Sequence, residues 1–487
     1  MIPQAFIEDL LSRVDVADVV GKHVKLRKAG ANLLGLCPFH GEKTPSFTVS
    51  PSKQFYHCFG CQANGTAIGF LMAFAGLSYV EAIEELAQSV GLSVPRESRS
   101  AAARQAASVS PNLIQLLTTA ARYYQRRLRE SPKAIEYLKG RGLTGVTAAR
   151  FALGYAPAGW RTLEAAVADY EDESLVSAGL VTGGRDHDAS PDASDSSRKR
   201  KRYDRFRDRV MFPIRTMRGG IIGFGARVID QGEPKYLNSP ETPVFSKGRE
   251  LYGLYESRTA MRASNQAIVV EGYMDVVMLA EHGVENAVAT LGTATTADHV
   301  RKLLRLVDSL VFSFDGDAAG RKAAWRALQA CLPIITDTQR VHFLFLPDGM
   351  DPDSYVCENG AAALAHEIDN ALPLSTFMLQ HLSDEKAMQT PEGRAAFLAQ
   401  ARPLLNALTA QGLRLQMMRA VADQAGIGLV ELEQYMAPTS DEKRAAERVA
   451  RQSRGNARYG TAQEFVNNGR PRGDPRQAPM PVRRGAS

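Results

Sequence analysis

The sequence predicts a multidomain α/β protein, and three features carry that expectation. Between about 265 and 347, short apolar runs alternate with helix-like stretches in the order β-α-β-α-β-α-β. Before residue 95, two close pairs of Cys and His residues sit in a turn-rich stretch. From about 348 to 436 the apolar spacing becomes helical.

The alternating region is expected to form a parallel sheet with strands at 267–270, 287–290, 310–314 and 341–346. Its helices are expected to start near Asp275, Thr296 and Ala318. Three of the strands end in acids. Ile268-Val269-Val270 runs into Glu271, Gly272 and, at the next turn, Asp275; Leu310 to Phe314 runs into Asp315-Gly316-Asp317. Phe343 to Pro347 is followed by Asp348, Asp351 and Asp353. In parallel sheets the ligand site lies beyond the carboxyl ends of the strands, so acids distant in sequence can meet there. Carboxylates gathered without basic partners repel one another, and a hard divalent cation is the natural neutraliser.

Asp315 and Asp317 share a side if the strand direction persists, and Gly316 lets a phosphate come close. The helix opening at Ala318 brings its N-terminus and the cations Arg321 and Lys322 to the same place. The chemistry this suits is in-line displacement at a phosphoryl group with one or two Mg2+ or Mn2+ ions. Glu271 is a candidate general base if burial raises its pKa. Any single Asp here also suits turn or helix capping; the set across three strand ends is what points to a site.

Cys37-Pro-Phe-His40 and Cys58-Phe-Gly-Cys61 give C-x2-H and C-x2-C, the spacing of a tetrahedral Zn2+ site with all four positions filled by protein. Such a site is structural. His57 is off the register. The alternative, small buried cysteines, does not require this spacing. Around the ligands lie Phe39, Lys43, Phe47, Lys53, Phe55, Tyr56 and Phe59. Rings interleaved with lysines suit stacking of unpaired bases, and the same rings suit the core of a small ribbon. Both readings stay open.

Residues 1–95 are expected to be this module, opened by a helix with Phe6, Leu10, Leu11 and Val14 on one face. Ser78 to Glu81 is a capping box, and Gly91 is placed to end the helix it starts. Residues 96–110 read as a flexible linker, with a helix from Pro111. Residues 111–264 are a basic region, 265–347 the acidic layer, 348–436 helical, and 437–487 a disordered basic tail. The polar stretch 183–202 is expected to be an unpacked loop. If 206–214 is one strand, Arg205, Arg207 and Arg209 share a face and would grip phosphates without reading bases; a solvated face is the alternative.

The net charge of +6 and pI near 9.0 are a mild hint of a polyanionic partner. No apolar run reaches membrane-spanning length, and Glu8 and Asp9 interrupt the opening pattern as no signal peptide would. Five cysteines form no disulfide framework, which fits a reducing cytosol.

Taken in order, these segments resemble the bacterial DnaG-type DNA primases over roughly residues 1–436. CPFHGEKTPSFTV and FYHCFGC are similar to the family's zinc-binding module. YDRFRDRVMFPI, IGFGARV and PKYLNSPETPVFSKGRELYGL resemble the basic half of its RNA polymerase domain. VVEGYMDV, LGTATTADH, DGDAAGRKAAWRAL and LPDGMDPD resemble its Toprim half.

The resemblance implies Zn2+ on Cys37, His40, Cys58 and Cys61, and catalytic Mg2+ on Glu271, Asp315 and Asp317, with Asp275, Asp351 and Asp353 supporting. It implies Arg205, Arg207, Lys235 and Lys247 as a ridge for template or nucleotide phosphates. The implied activity is synthesis of short RNA primers from NTPs on a single-stranded DNA template at the replication fork, by a monomer without membrane contact. A replicative helicase, and with it a single-strand DNA-binding protein, are the implied partners. The family pattern ends in a sizeable helical domain that docks on the helicase. Here the last fifty or so residues are rich in Arg, Gly and Pro, so that docking domain is expected to be missing.

Two other readings compete. Toprim acids also serve nucleases and topoisomerases, which cut phosphodiesters; a topoisomerase needs a nucleophilic Tyr in a further large domain. A zinc protein that merely coats single strands would not need the acids at all.

Overall fold

The computed structural model describes residues 2, 4–77, 79–92, 94, 101–183, 202–230, 232–347, 349–383 and 386–437. Ser78, Asp348, nearly all of the 183–202 stretch and the tail beyond 437 lie outside the described residues. The described residues divide into two compact units, one up to residue 421 and one from 422.

The first unit begins with helices α1 (Gln4–Arg13) and α2 (Val16–Gly21). An antiparallel five-stranded sheet follows, in the order β1 (Arg27–Ala29), β2 (Asn32–Gly35), β3 (Phe47–Ser50), β4 (Phe55–Cys58) and β5 (Asn64–Gly65). Helices α3 (Ala67–Ala75) and α4 (Tyr79–Ser89) cover it, and Gly91, at φ +70, turns the chain after α4. Leu10, Val14, Phe47, Tyr56, Phe70 and Ile83 bury together in a core of the module's own. Phe47 and Tyr56 are core and stack on each other, whereas Phe59 is 68% exposed.

Of the linker expected at 96–110, residues 101–110 are helical, and 96–100 lie outside the described residues. Helix α5 runs from Ala101 to Glu130, so it starts before Pro111. The physical reason is composition: Ala, Arg and Gln dominate 101–107, and these are strong helix formers. Helices α6 (Pro132–Gly140) and α7 (Gly145–Arg150) follow, each opened by a hydroxyl cap, Ser131 and Thr144. Next come β6 (Gly154–Ala156), α8 (Glu173–Ser177), β7 (Val181–Gly183), β8 (Arg202–Asp204), β9 (Arg209–Arg215), β10 (Ile221–Val228) and β11 (Tyr236–Asn238). Strands β11-β10-β9-β6 form an antiparallel sheet, and β7 pairs with β8.

Helix α9 (Leu254–Ser264) leads into β12 (Gln266–Val270), α10 (Tyr273–Glu281), β13 (Ala287–Ala289), α11 (Ala297–Leu303), β14 (Ser309–Phe314), α12 (Ala318–Cys331) and β15 (Arg340–Phe345). These are the strands and helices expected from the apolar spacing. Their sheet order is β13-β12-β14-β15, all parallel, with the short β16 (Leu372–Pro373) antiparallel at the edge. Side chains on both faces are buried, as parallel sheets demand. Helices α13 (Pro352–Asp369, broken at Gly360), α14 (Leu374–Leu382), α15 (Pro391–Ala407) and α16 (Gln411–Ala425) follow. The second unit contains helix α17 (Leu429–Met436). Among the described residues no single helix is long and apolar enough to cross a membrane.

Candidate active site and metal centre

Strand order alone brings the acids together. Strands β12 and β14 are hydrogen-bonded neighbours in parallel, with Val269 opposite Phe312, so Glu271 and Asp315 leave adjacent carboxyl ends. Parallel neighbours lie about 4.8 Å apart. Strand β15 is next, with Phe314 opposite Phe345, and the chain beyond it returns Asp351 and Asp353 at the start of α13.

The electrostatics record that convergence. Burial, then the charges of Asp315 and Asp317, push the Glu271 carboxyl above its ordinary range. Burial, then Asp351 and Asp317, do the same to Asp315. Asp275, buried at the start of α10, is pushed up to about 7 by burial first and then by Asp351, while the Gly272 N–H opposes the shift. Among the described residues no acidic group brings three donor atoms within 4.8 Å of one another.

Several of these acids also do structural work. Asp317 caps α12, accepting the Gly320 N–H at 2.7 Å, and Asp351 caps α13, accepting from the Ser354 N–H at 2.8 Å. The expectation that the acids lack basic partners needs one correction. Arg141 Nη1 lies 2.9 Å from Asp353 Oδ2, so this supporting acid is paired. The pairing leaves Glu271, Asp315 and Asp317 without a salt bridge among the described residues. Arg141 was not legible: it lies 212 residues from its partner.

Asp275 carries a pH dependence. In the folded chain it keeps its proton to about 7, against 3.8 for an ordinary Asp. Its stabilising effect is therefore complete below about 3.8 and is lost as pH rises through about 7. In magnesium-free buffer, Asp275→Asn is expected to melt several degrees above the parent at pH 8 and near it at pH 4. Equal melting differences at the two pH values would contradict this assignment.

The basic stripe is not found. Asp208 sits at φ +50 and ends the extended run, so β9 starts at Arg209 and Arg205 and Arg207 lie in the turn before it. The three guanidinium groups part company. Arg205 donates to the Asn238 carbonyl, Arg207 stacks over Trp160 at 4.3 Å, and Arg209 is buried against the Pro234 carbonyl. Lys235 stands exposed on the wall of a 560 Å3 cavity that Arg141 and Arg227 also line, and Lys247 lies in the turn before α9. Arg227 is a further cation facing the Asp353 end of the acids.

In the N-terminal module, Cys37, His40, Cys58 and Cys61 bring one donor atom each within 4.8 Å of all the others. Cys37 Sγ and Cys61 Sγ are 3.7 Å apart, as are Cys58 Sγ and His40 Nδ1. Tetrahedral Zn2+ with Zn–S near 2.3 Å requires about 3.8 Å between sulfurs, so the donor set fits the ion. Burial pushes the Cys37 thiol up to about 12. Burial also opposes the Cys58 thiolate, but the Cys61 N–H and the Ser46 hydroxyl bring it down to about 7.

A residue outside the motif orders the site. Glu42 accepts the Cys37 N–H at 2.6 Å and stands 3.3 Å from His40 Nε2, leaving Nδ1 toward the sulfurs. Gly60 is required by closeness: a Cβ there would stand 2.7 Å from His40 Nε2. His57 is not in the group.

Family models match in the same order. Residues 2–102 match the CHC2 zinc finger, 123–258 the N-terminal domain of the DNA primase catalytic core, and 265–342 the Toprim domain. The DNA primase of Neisseria meningitidis is 45% identical over 441 residues, 90% of this chain and 72% of that protein. The chain belongs to the bacterial DnaG-type primase family.

The DNA primase of Pseudomonas aeruginosa is 49% identical over 434 residues, covering 88% of this chain. The chain spans 64% of that relative's length. A solved DnaG primase catalytic domain bound to ssDNA is 42% identical with a TM-score of 0.60, over 66% of this chain and 98% of that one. The expected loss of helicase docking is corrected here. Residues 375–429 match the DnaB-helicase binding domain of primase. The apolar spacing had assigned that stretch to helices, and amphipathic helices alone do not name what they dock on.

Proposed function

We propose that this chain is a DNA primase, a DNA-templated RNA polymerase that makes short RNA primers on single-stranded DNA from NTPs. The observation that carries the reading is the set of mutually repelling acids at adjacent parallel strand ends, Glu271 and Asp315 foremost. A bound Mg2+ or Mn2+ supplies charge neutralisation and makes a 3′-hydroxyl a better nucleophile. Glu271, Asp315 and Asp317 would hold the ion, with Asp275, Asp351 and Asp353 shaping the field around it.

Glu271 keeps part of its side chain exposed, and partial burial with the charges of Asp315 and Asp317 raises its pKa, which suits it to take the proton of the attacking hydroxyl. Lys235, Arg227 and Lys247 hold triphosphate or template phosphates, while Arg205 and Arg207 shape the turn behind them. Exposed Phe59, Lys43 and Lys53 on the zinc module suit stacking and phosphate contact with the template. Residues 375–429 support a replicative helicase as partner, and with it a role at the replication fork.

The test is incubation with single-stranded DNA, Mg2+ and labelled NTPs, with and without helicase. Short RNA products support the reading; cleaved DNA supports the nuclease or topoisomerase alternative. Gly320→Ala probes the site geometry without touching a ligand. A Cβ at Gly320 would stand 2.2 Å from the Asp315 backbone oxygen, so Asp315 must move. Primer synthesis is expected to fall on the order of 10²-fold, with DNA binding kept; unchanged synthesis would show that the position of Asp315 does not matter.

A further inference from the structure

A second cavity, of about 310 Å3, opens among α5, α6 and α7, away from the acids and from the zinc module. That is the small end of the range for ligand cavities, about 300–1,000 Å3. Its walls are apolar and come from all three helices and their connections: Leu128, Leu138, Leu143 and Leu153. Two cations, Arg129 and Lys139, line the same cavity and are exposed. Neither has an ion-pair partner among the described residues.

Apolar walls hold water poorly, and two cations on the same lining complement an anion. The enclosure by three helices suits a compact molecule better than a peptide helix, which needs an open groove. The chemistry that satisfies both halves is an apolar body with one carboxylate head.

The walls are tied to the proposed catalytic acids. Helix α6 ends on Arg141, whose guanidinium holds Asp353 at 2.9 Å. Thr144, the cap of α7, donates its N–H and its hydroxyl to Glu281, both at 3.0 Å, at the far end of the helix that begins beside Glu271. These two contacts are the routes by which a shift of α6 or α7 would reach Arg141 and Glu281.

We infer that this cavity binds a small-molecule carboxylate with an apolar body, and that its occupancy slows nucleotidyl transfer through α6 and Arg141. The second half rests on the polymerase reading; the first does not. The experiment uses the full zinc-loaded chain, with 8-anilinonaphthalene-1-sulfonate as fluorescent probe and decanoate as competitor.

Saturable fluorescence is expected, displaced by decanoate and at least about 10-fold less well by the neutral decanol. The double variant Arg129→Glu/Lys139→Glu is expected to weaken both anions by at least about 10-fold and to make primers as the parent does, now without inhibition by decanoate. Absence of saturable binding, unchanged affinity in the double variant, or competition by an acidic peptide but not by decanoate would overturn the site. Binding without inhibition would overturn its link to the acids. The fluorescence arm needs no catalysis, so its failure is distinct from failure of the polymerase reading.

Discussion

Asp315→Asn is expected to cut primer synthesis by at least about 10³-fold while single-stranded DNA binding stays within about two-fold of the parent. The substitution keeps size and shape and removes one negative charge from a site whose acids already raise one another's pKa. With that charge gone the remaining carboxylates repel less, so the chain should be no less stable; what is lost is the field that holds the cation. Glu271→Gln is expected to act alike, because its carboxyl leaves the neighbouring strand end. Labelled NTP incorporation against a gel-shift control reads both. Synthesis preserved in Asp315→Asn would remove the acids from the mechanism and favour a protein that only coats DNA.

Cys58→Ser has the largest expected effect on structure. Cys58 ends strand β4 opposite Phe47, is fully buried, and accepts the Cys61 N–H. Zinc binding in so small a unit is folding energy, about 10–16 kcal/mol in isolated zinc-finger peptides. The bound zinc is expected to fall from one per chain to none, and the first ninety or so residues to become protease-sensitive. Helices and sheets beyond them should persist, since the module has its own apolar core. Retention of zinc by Cys58→Ser would contradict the four-ligand assignment.

The parallel layer was legible because its signals are local. Runs such as Ile268–Val270 and Leu310–Phe314 announce strands by themselves, and the acids that follow mark where each strand stops. The zinc pairs were legible for the same reason, as spacing within one knuckle. What escaped depends on distant partners or on one dihedral angle. Asp208 at φ +50 splits the arginine stripe, and no residue pattern announces that. Arg141 meets Asp353 only after the chain has folded, and Glu42 orders His40 by a contact that C-x2-H spacing does not encode. The 101–110 stretch misled because small residues suit linkers and helices equally, and its alanines decide for the helix.

All of the catalytic argument depends on a divalent cation binding where β12 and β14 end. Titration with Mn2+, followed by electron paramagnetic resonance on the zinc-loaded chain, measures this without any need for turnover. The account predicts saturable Mn2+ binding by the parent, competed by Mg2+, and its loss in Glu271→Gln/Asp315→Asn with the zinc content unchanged. Equal Mn2+ binding by the parent and the double variant would contradict it.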